Sequence, residues 1–410
     1  MILRAIVSHG AEATAIRGST QAFDFIVVGA GMAGASVAAA LASTAHIALI
    51  EAEPQPGFHA TARSAALFAP NYGSPFFRAL TRASAAFLHA PPENFSAHPL
   101  LHPRGALYLA RAGQEPQLDS LLQSMRTTNT VVEVLSPAAA RTKVPCLRPG
   151  YLAAALYEPA VHDIDVAALL QGFLRQGKAL GVQLHVGERC SAPEWRGEAW
   201  LVQMEHGTLC APVLVNAAGA WADELAASCG AKPLGLRPLR RTAALIDAPE
   251  GVAVDAWPAV FDVDEEFYFK PDASRLLVSP ADEEPSPPGD VYADDPTVAI
   301  GIERIQGALD FEVRRVRHSW AGLRTFAPDR EPVIGYDAAV PGLFWCAGQG
   351  GYGIQCAAAS AQLAAALARG EPVPAAIAAE GVTAHGVSPA RFSPGTADDP
   401  AASTKARSKR

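Results

Sequence analysis

Three glycines in the stretch Gly29-Ala30-Gly31-Met32-Ala33-Gly34 restrict the fold of this chain more than any other feature. They follow the apolar run 23–28, rich in Ile and Val, and precede the alanine-rich, helix-prone stretch 36–43. A second apolar run, 47–50, closes on Glu51. Strand, glycine turn, helix and strand in about thirty residues is the length of one βαβ unit, whose parallel strands are buried on both faces. The glycines answer three separate needs: a tight turn, close approach of the backbone to a pyrophosphate, and tight helix–strand packing. A diphosphate then meets the amides of the helix N-terminus. Glu51, seventeen residues past Gly34, stands where a carboxylate accepts ribose hydroxyls. The pattern predicts a dinucleotide site and leaves open which dinucleotide.

Similar pieces recur along the chain. Asp165 is the expected N-cap of a helix over 166–180. Residues 182–186, 200–204 and 212–216 read as strands, the last running into Ala217-Ala218-Gly219. An apolar strand over 342–347 ends in Gly348-Gln349-Gly350-Gly351 and leads to an alanine-rich helix over 357–368. Other segments carry the strand-like runs 106–110, 242–246, 267–269 and 276–279, a Pro-rich loop over 282–290 and a helical stretch around 298–309. The expected fold class is α/β. A Rossmann-like cofactor domain from 22–73, 151–230 and 314–385 is interleaved with a mostly β (α+β) substrate-binding domain from 74–150 and 231–313. Residues 1–21 read as an N-terminal extension, and 393–410, rich in Pro, Ser, Ala and charge, as a disordered tail.

Composition narrows the function classes. A chain of 410 residues, half of them apolar, favours two domains. A formal charge of −8 offers no basic face for nucleic acid. No apolar run approaches the ~20 residues of a membrane span, so a soluble, cytoplasmic protein is expected. Six cysteines (Cys146, Cys190, Cys210, Cys229, Cys346, Cys356) include no CxxC pair. They read as reduced core thiols, with neither a disulfide framework nor a metal site.

The loop Ala60-Thr61-Ala62-Arg63-Ser64-Ala65-Ala66 carries small side chains that let backbone amides approach a flat ring system, although alone it is equally a polar surface loop. Three more motifs follow in order: Asn216-Ala217-Ala218-Gly219-Ala220-Trp221, Trp320-Ala321-Gly322-Leu323-Arg324 and Gly350-Gly351-Tyr352-Gly353-Ile354-Gln355. On these motifs and the glycine turn, over about residues 24–392, the chain resembles the D-amino-acid oxidase-like flavoproteins. Within them it is most similar to the bacterial D-amino-acid (D-arginine type) dehydrogenases. The resemblance implies FAD, bound non-covalently. Its expected contacts are Gly29, Ala30, Gly31, Ala33, Gly34, Glu51 and Ala52, the loop from Ala60 to Leu67, and the backbone at Cys190 beside the adenine. Ala218, Gly219 and Trp221 complete them, with Gly350, Gly351, Tyr352, Gly353, Ile354 and Gln355 on the isoalloxazine side. The implied reaction is oxidative deamination: hydride passes from the α-carbon to the flavin, and the imino acid hydrolyses to a 2-oxo acid and ammonia.

Such a substrate calls for a bidentate guanidinium and a hydroxyl donor at its carboxylate. The resemblance places Arg324 there with Tyr268 beside it, Gly351 at the same end and Tyr72 as a lid-side contact. Arg241 is a second candidate, although Arg240 and Arg241 also read as an exposed basic pair. For Arg324 the structural alternative is a salt bridge to Asp329 or another acid; for Tyr72 it is a surface turn. Relatives that prefer D-arginine place an acid on a substrate-domain strand. Here the stretch 104–109 offers none and has Ala106 at that position, while Leu67 and Ala69 make the Tyr72 loop apolar. A buried cationic side chain would lack its partner, so neutral or apolar D-amino acids are expected over D-arginine and D-lysine. Alternatives are oxidation of a glycine- or sarcosine-type amine or of a 2-hydroxy acid, an NAD(P)-dependent dehydrogenase, or a flavin-binding assembly protein with little turnover. The electron acceptor, whether quinone, carrier or oxygen, has no motif.

Overall fold

The computed structural model describes residues 20–128 and 130–392; most of the expected N-terminal extension and the whole expected tail lie outside the described residues. A six-stranded sheet runs in the order Gln183–Val186, Ile47–Glu51, Phe25–Val28, Val213–Asn216, Leu343–Ala347 and Val333–Tyr336, parallel except for the last strand. Side chains alternate across a strand with period two, and the two sets separate cleanly. Phe25, Val27, Ile47, Leu49, Val215 and Phe344 pack in one core with the helices Met32–Leu41, Pro75–His89 and Ala357–Ala368. Ile26, Val28, Ala48, Ile50, Leu214 and Trp345 pack in another, against a four-stranded sheet that includes Trp200–Met204 and Gly207–Ala211. Both faces are covered, which is why these strands read as unbroken apolar runs. Thr20–Ala22, at the end of the expected extension, is an edge strand parallel to Gly207–Ala211. Helix Val166–Ala179 begins at its expected cap, Asp165 Oδ1 accepting the Ala168 N–H at 2.8 Å.

The second large sheet has nine strands, mostly antiparallel. Its path runs from Glu284–Pro285 through Arg237–Asp247, Arg275–Ser279, Tyr268–Asp272, Ala259–Asp262, Ala106–Ala110 and Ala154–Glu158 to Glu133–Leu135, with Val316–Phe326 also paired to Arg237–Asp247. One face, with Leu107, Leu109, Ala244, Ile246, Phe269 and Val278, packs on the helix Asp295–Ala308. Register places Tyr108, Phe261, Tyr268, Arg241 and Arg324 on the opposite face.

Three segments sit across the boundaries expected from the sequence. The strands Ala154–Glu158 and Val316–Phe326 belong to the nine-stranded sheet, whereas 151–230 and 314–385 were expected in the cofactor domain. Helix Pro75–His89, expected with the substrate-binding part, buries Phe77 and Leu80 in the six-stranded sheet's core. No short motif marks these crossings, because ladder pairing and the direction of a helix face are settled between segments distant in sequence. All six cysteines are free, four of them buried. No helix among the described residues is long and apolar enough to cross a membrane.

Candidate functional site

A cavity of about 460 Å³ lies between the parallel sheet and the polar face of the nine-stranded sheet. At its first end the glycine turn is locked by contact. A Cβ on Gly29 (φ +101°) would stand 2.5 Å from the Ala217 carbonyl oxygen, and one on Gly34 would stand 1.7 Å from the Gly29 oxygen. Gly31 meets only Thr61 Oγ1, at 3.4 Å, so its face stays open to the cavity. Glu51 Oε2 accepts the Ala30 N–H at 2.8 Å and Oε1 accepts the Glu53 N–H at 3.0 Å. These bonds fix the carboxylate at the cavity edge. Thr61 Oγ1 accepts the Met32 N–H at 3.0 Å, tying the small-residue loop to the helix N-terminus.

Most of the expected cofactor contacts meet on this one cavity. Gly29, Gly31, Ala33, Glu51, Ala52, Ala60, Thr61, Arg63, Ser64, Ala65, Cys190, Ala218, Gly219, Trp221, Gly350, Gly351, Gly353 and Ile354 line it. Ala30, Gly34, Ala62, Ala66, Leu67, Tyr352 and Gln355 are not in its lining. Ala30 and Gly34 shape the turn from behind, and Gln355 Oε1 accepts the Ala69 N–H at 3.1 Å. His59 and Glu53 are among the wall residues that were not picked out from sequence. His59 Nε2 lies 2.9 Å from Glu53 Oε1, and its ring packs on Trp221 at 4.7 Å. The acid, the helix N-terminus and the small-residue loops follow one another along the cavity, an arrangement that fits an elongated dinucleotide with a flat ring at its far end.

The Arg63 side chain has a different occupation from the expected cofactor contact. Its guanidinium pairs with the Asp290 carboxylate and donates to the carbonyls of Val291 (2.9 Å) and Ala321 (3.1 Å). Trp320 Nε1 donates to the Arg63 carbonyl at 3.1 Å. The loop's backbone faces the cavity while its one charge binds the second sheet and the Pro-rich loop.

At the other end the two candidate arginines differ. Arg324 forms no ion pair with any acid among the described residues; Asp329, the alternative partner, pairs with Arg391 Nε at 2.7 Å. Burial opposes the charge of Arg324, but the nearby phenols of Tyr268 and Tyr72 outweigh that effect and hold its pKa above the ordinary value. Gly351 is packed against it: a Cβ there would stand 2.8 Å from Arg324 Nη1. Tyr268 lines the same end and is buried. Arg241 also lines the cavity, but its Nε donates to the Asp282 carbonyl at 2.8 Å and its Nη2 to Glu283 Oε1 at 3.2 Å. Arg330 holds the same Glu283. Arg240 pairs with Glu284 and Asp294, so the two neighbours do not form an exposed basic pair. Of the two candidate arginines, Arg324 is the one whose charge is left for a ligand.

Tyr72 is neither a surface turn nor part of the cavity lining. It stands behind Arg324 as a wall, its ring 5.1 Å from Tyr352 and 6.4 Å from Phe261, which in turn stacks on Tyr108 at 5.4 Å. Burial raises its pKa, against the pull of Arg324. Its neighbour Asn71 donates to Glu158 Oε1 at 2.8 Å and to Thr130 Oγ1 at 2.5 Å, and accepts from Thr128. Gln355 Nε2 reaches the Tyr72 carbonyl at 3.5 Å. Glu158 is the acid that inspection of 104–109 did not find. It is the cross-strand partner of Ala106, on the same sheet face, and fully buried. Its second oxygen accepts the Tyr108 hydroxyl at 3.1 Å, and burial raises its pKa. It lies outside the cavity lining, and both of its oxygens are occupied.

With this geometry in hand, comparison with known proteins is informative. The family model described as FAD dependent oxidoreductase (DAO) matches residues 24–367. The bifunctional tRNA 5-methylaminomethyl-2-thiouridine biosynthesis protein MnmC of a Polaromonas species is 29% identical over 392 residues, covering 86% of this chain and 58% of its own. FAD-dependent oxidoreductase domain-containing protein 1 of Bos taurus is 27% identical, covering 63% of this chain and 60% of its own. The chain therefore spans about three fifths of the length of these curated relatives. Among solved structures, glycine oxidase from Geobacillus kaustophilus superimposes with a TM-score of 0.75 at 23% identity, over 85% of this chain and 95% of that one.

Proposed function

The chain belongs to this family of FAD-dependent oxidoreductases, with FAD as its cofactor, and from that premise we propose that it oxidises the amine of a small, uncharged D-amino acid. The product is an imino acid, which hydrolyses to a 2-oxo acid and ammonia. The observation that carries this reading is Arg324, a guanidinium on the cavity wall with no carboxylate partner among the described residues. Such a group is a ready anchor for the carboxylate of a ligand. FAD, when bound, supplies the acceptor for the α-hydrogen as hydride.

The residues of the chain do the orienting. The fork of Arg324 offers parallel N–H donors to the substrate carboxylate, and the Tyr268 hydroxyl adds a donor from the neighbouring wall. The phenol of Tyr72, close to the guanidinium, favours its charge. Gly351, with no side chain, lets the Arg324 guanidinium pack close to its backbone. Fixing the carboxylate in this way turns the reaction into one between oriented partners.

Preference for an uncharged side chain rests on where the acids are. Glu158 is sealed behind the Tyr72 wall, and Glu283 is shared by Arg241 and Arg330. A cationic side chain would meet the guanidiniums of Arg241 and Arg324, and neither Glu158 nor Glu283 is free to pair with it. The D configuration rests on the resemblance of the sequence motifs alone. A second reading, a glycine- or sarcosine-type amine, is favoured by the rings of Tyr72, Phe261 and Tyr352, which pack on one another near Arg324. The likeness to glycine oxidase points the same way.

The test is anaerobic bleaching of the flavin by a panel of D-alanine, D-phenylalanine, D-arginine, their L forms, glycine and sarcosine. Fastest bleaching by a neutral D-amino acid is expected. Fastest bleaching by glycine or sarcosine would select the second reading. A preference for D-arginine or for any L form would overturn the first.

A further inference from the structure

We propose that Arg63 and Asp290 form a clamp that retains FAD, closing the Pro-rich loop 282–290 over the cavity while the guanidinium itself makes no contact with the cofactor's phosphates. The inference concerns the cofactor alone and holds whichever amine the site oxidises.

The start of this loop is well fixed. Asp282 accepts the Thr242 N–H at 2.7 Å, and the Ser286 N–H donates to the Pro238 carbonyl at 3.1 Å. Beyond Ser286 the situation changes. Pro287 and Pro288 carry no N–H and cannot donate. Among the described residues, every hydrogen bond or ion pair that ties 287–293 to the rest of the chain ends on Arg63, at the Asp290 carboxylate and the Val291 carbonyl. Yet Gly289 and Val291 are part of the cavity wall, as are Ser64, Ala65 and Gly322. The polar ties of a stretch that lines the cofactor cavity therefore all run to one side chain, with Ala293 packed on the core at its far end.

That side chain is well placed for the task. Arg63 is 16% exposed and Asp290 40%. The third bond, to the Ala321 carbonyl, anchors the guanidinium on the Val316–Phe326 strand. Tyr292 donates to the second oxygen of Asp290 at 2.8 Å, which orients the carboxylate toward Arg63. The strand comes close enough that a Cβ on Gly322 would lie 3.1 Å from the Arg63 Cβ. A planar fork with several donors can hold two backbone segments and a carboxylate at once; a lysine cannot.

A clamp and a direct phosphate ligand differ in sign at Asp290. If Arg63 bound the diphosphate, Asp290 would compete for it, and its removal would slow FAD release or leave it unchanged. If the pair is a clamp, removing either partner speeds release. The experiment measures FAD release from the holoenzyme, followed by the rise in flavin fluorescence after dilution, for Asp290→Asn, Arg63→Lys, Arg63→Ala and the double variant Arg63→Ala/Asp290→Asn. Release about fivefold faster is expected for Asp290→Asn, the size of a partly exposed pair. The double variant should release no faster than Arg63→Ala alone. Asp290 is exposed and outside every helix and strand, so its variant keeps the test valid should Arg63→Ala fail to fold. Unchanged or slower release from Asp290→Asn would overturn the proposal, as would additive effects in the double variant.

Discussion

Asn71→Ala probes the support of the substrate end without touching the substrate. Asn71 is 1% exposed and donates to Glu158 and Thr130 while accepting from Thr128. Its removal deletes two neutral hydrogen bonds worth about 1 kcal/mol each and leaves one oxygen of a buried carboxyl without its donor, a further cost of about 1–3 kcal/mol. Part is recovered, because Thr128 and Thr130 already lie 2.9 Å apart and can pair with each other. A loss of about 3 kcal/mol results. With an unfolding entropy of about 2.1 cal/mol/K per residue over about 370 residues, that is a fall in Tm of about 4 °C. The same change frees the backbone that carries Tyr72, whose phenol lies close to Arg324. Substrate binding should weaken by about 1.4 kcal/mol, or roughly tenfold in KM, with a smaller change in kcat. Thermal denaturation of the holoenzyme and steady-state kinetics with the preferred amino acid read both effects. A Tm within 1 °C of the parent together with an unchanged KM would refute the argument that this network fixes the wall.

Other perturbations separate the remaining parts. Gly34→Ala would drive a methyl to 1.7 Å from the Gly29 carbonyl oxygen, so the helix must move off the turn; loss of FAD from the purified protein is expected, and normal flavin content would contradict it. Glu158→Gln keeps the shape but removes a carboxyl whose pKa is raised by burial. The folded parent binds that proton more tightly than the unfolded chain, so its stability is full below the unfolded pKa and falls as pH rises through the raised folded one. The variant lacks this fall. Its stability relative to the parent should rise between about pH 4 and neutrality, and a constant difference across that range would rule the assignment out.

What could be read from the sequence divides along a physical line. The glycine turn, the Asp165 cap, the helix Ala357–Ala368 and the strand Ala106–Ala110 are local: periodicity, capping chemistry and steric need all lie within a few residues. The gathering of the glycine turn, 216–221 and 350–355 on one cavity also follows, because each lies at or just beyond the carboxyl end of a strand of the six-stranded sheet. Pairings between distant segments could not be read. Arg63 meets Asp290 227 positions away, and nothing near either residue announces the other. Arg240 and Arg241 are neighbours in sequence, yet strand alternation sends them to different partners, and only the three-dimensional register shows that Arg241 is tied to Glu283 while Arg324 is not. Glu158 escaped notice for a related reason. A search of the strand 106–110 for an acid does not reveal which residue the adjacent strand places beside Ala106.

The central claim is that Arg324 anchors the carboxylate of an amino acid beside the flavin. Its most direct test is anaerobic titration of the holoenzyme with the fastest-bleaching amino acid, comparing the parent with Arg324→Ala at equal flavin content. Truncating one partner of a buried, hydrogen-bonded charge pair costs about 2–5 kcal/mol. The concentration for half-maximal bleaching should rise about a hundredfold or more, with Arg324→Lys between the two. Bleaching of Arg324→Ala at the parent's concentration and rate would contradict the account.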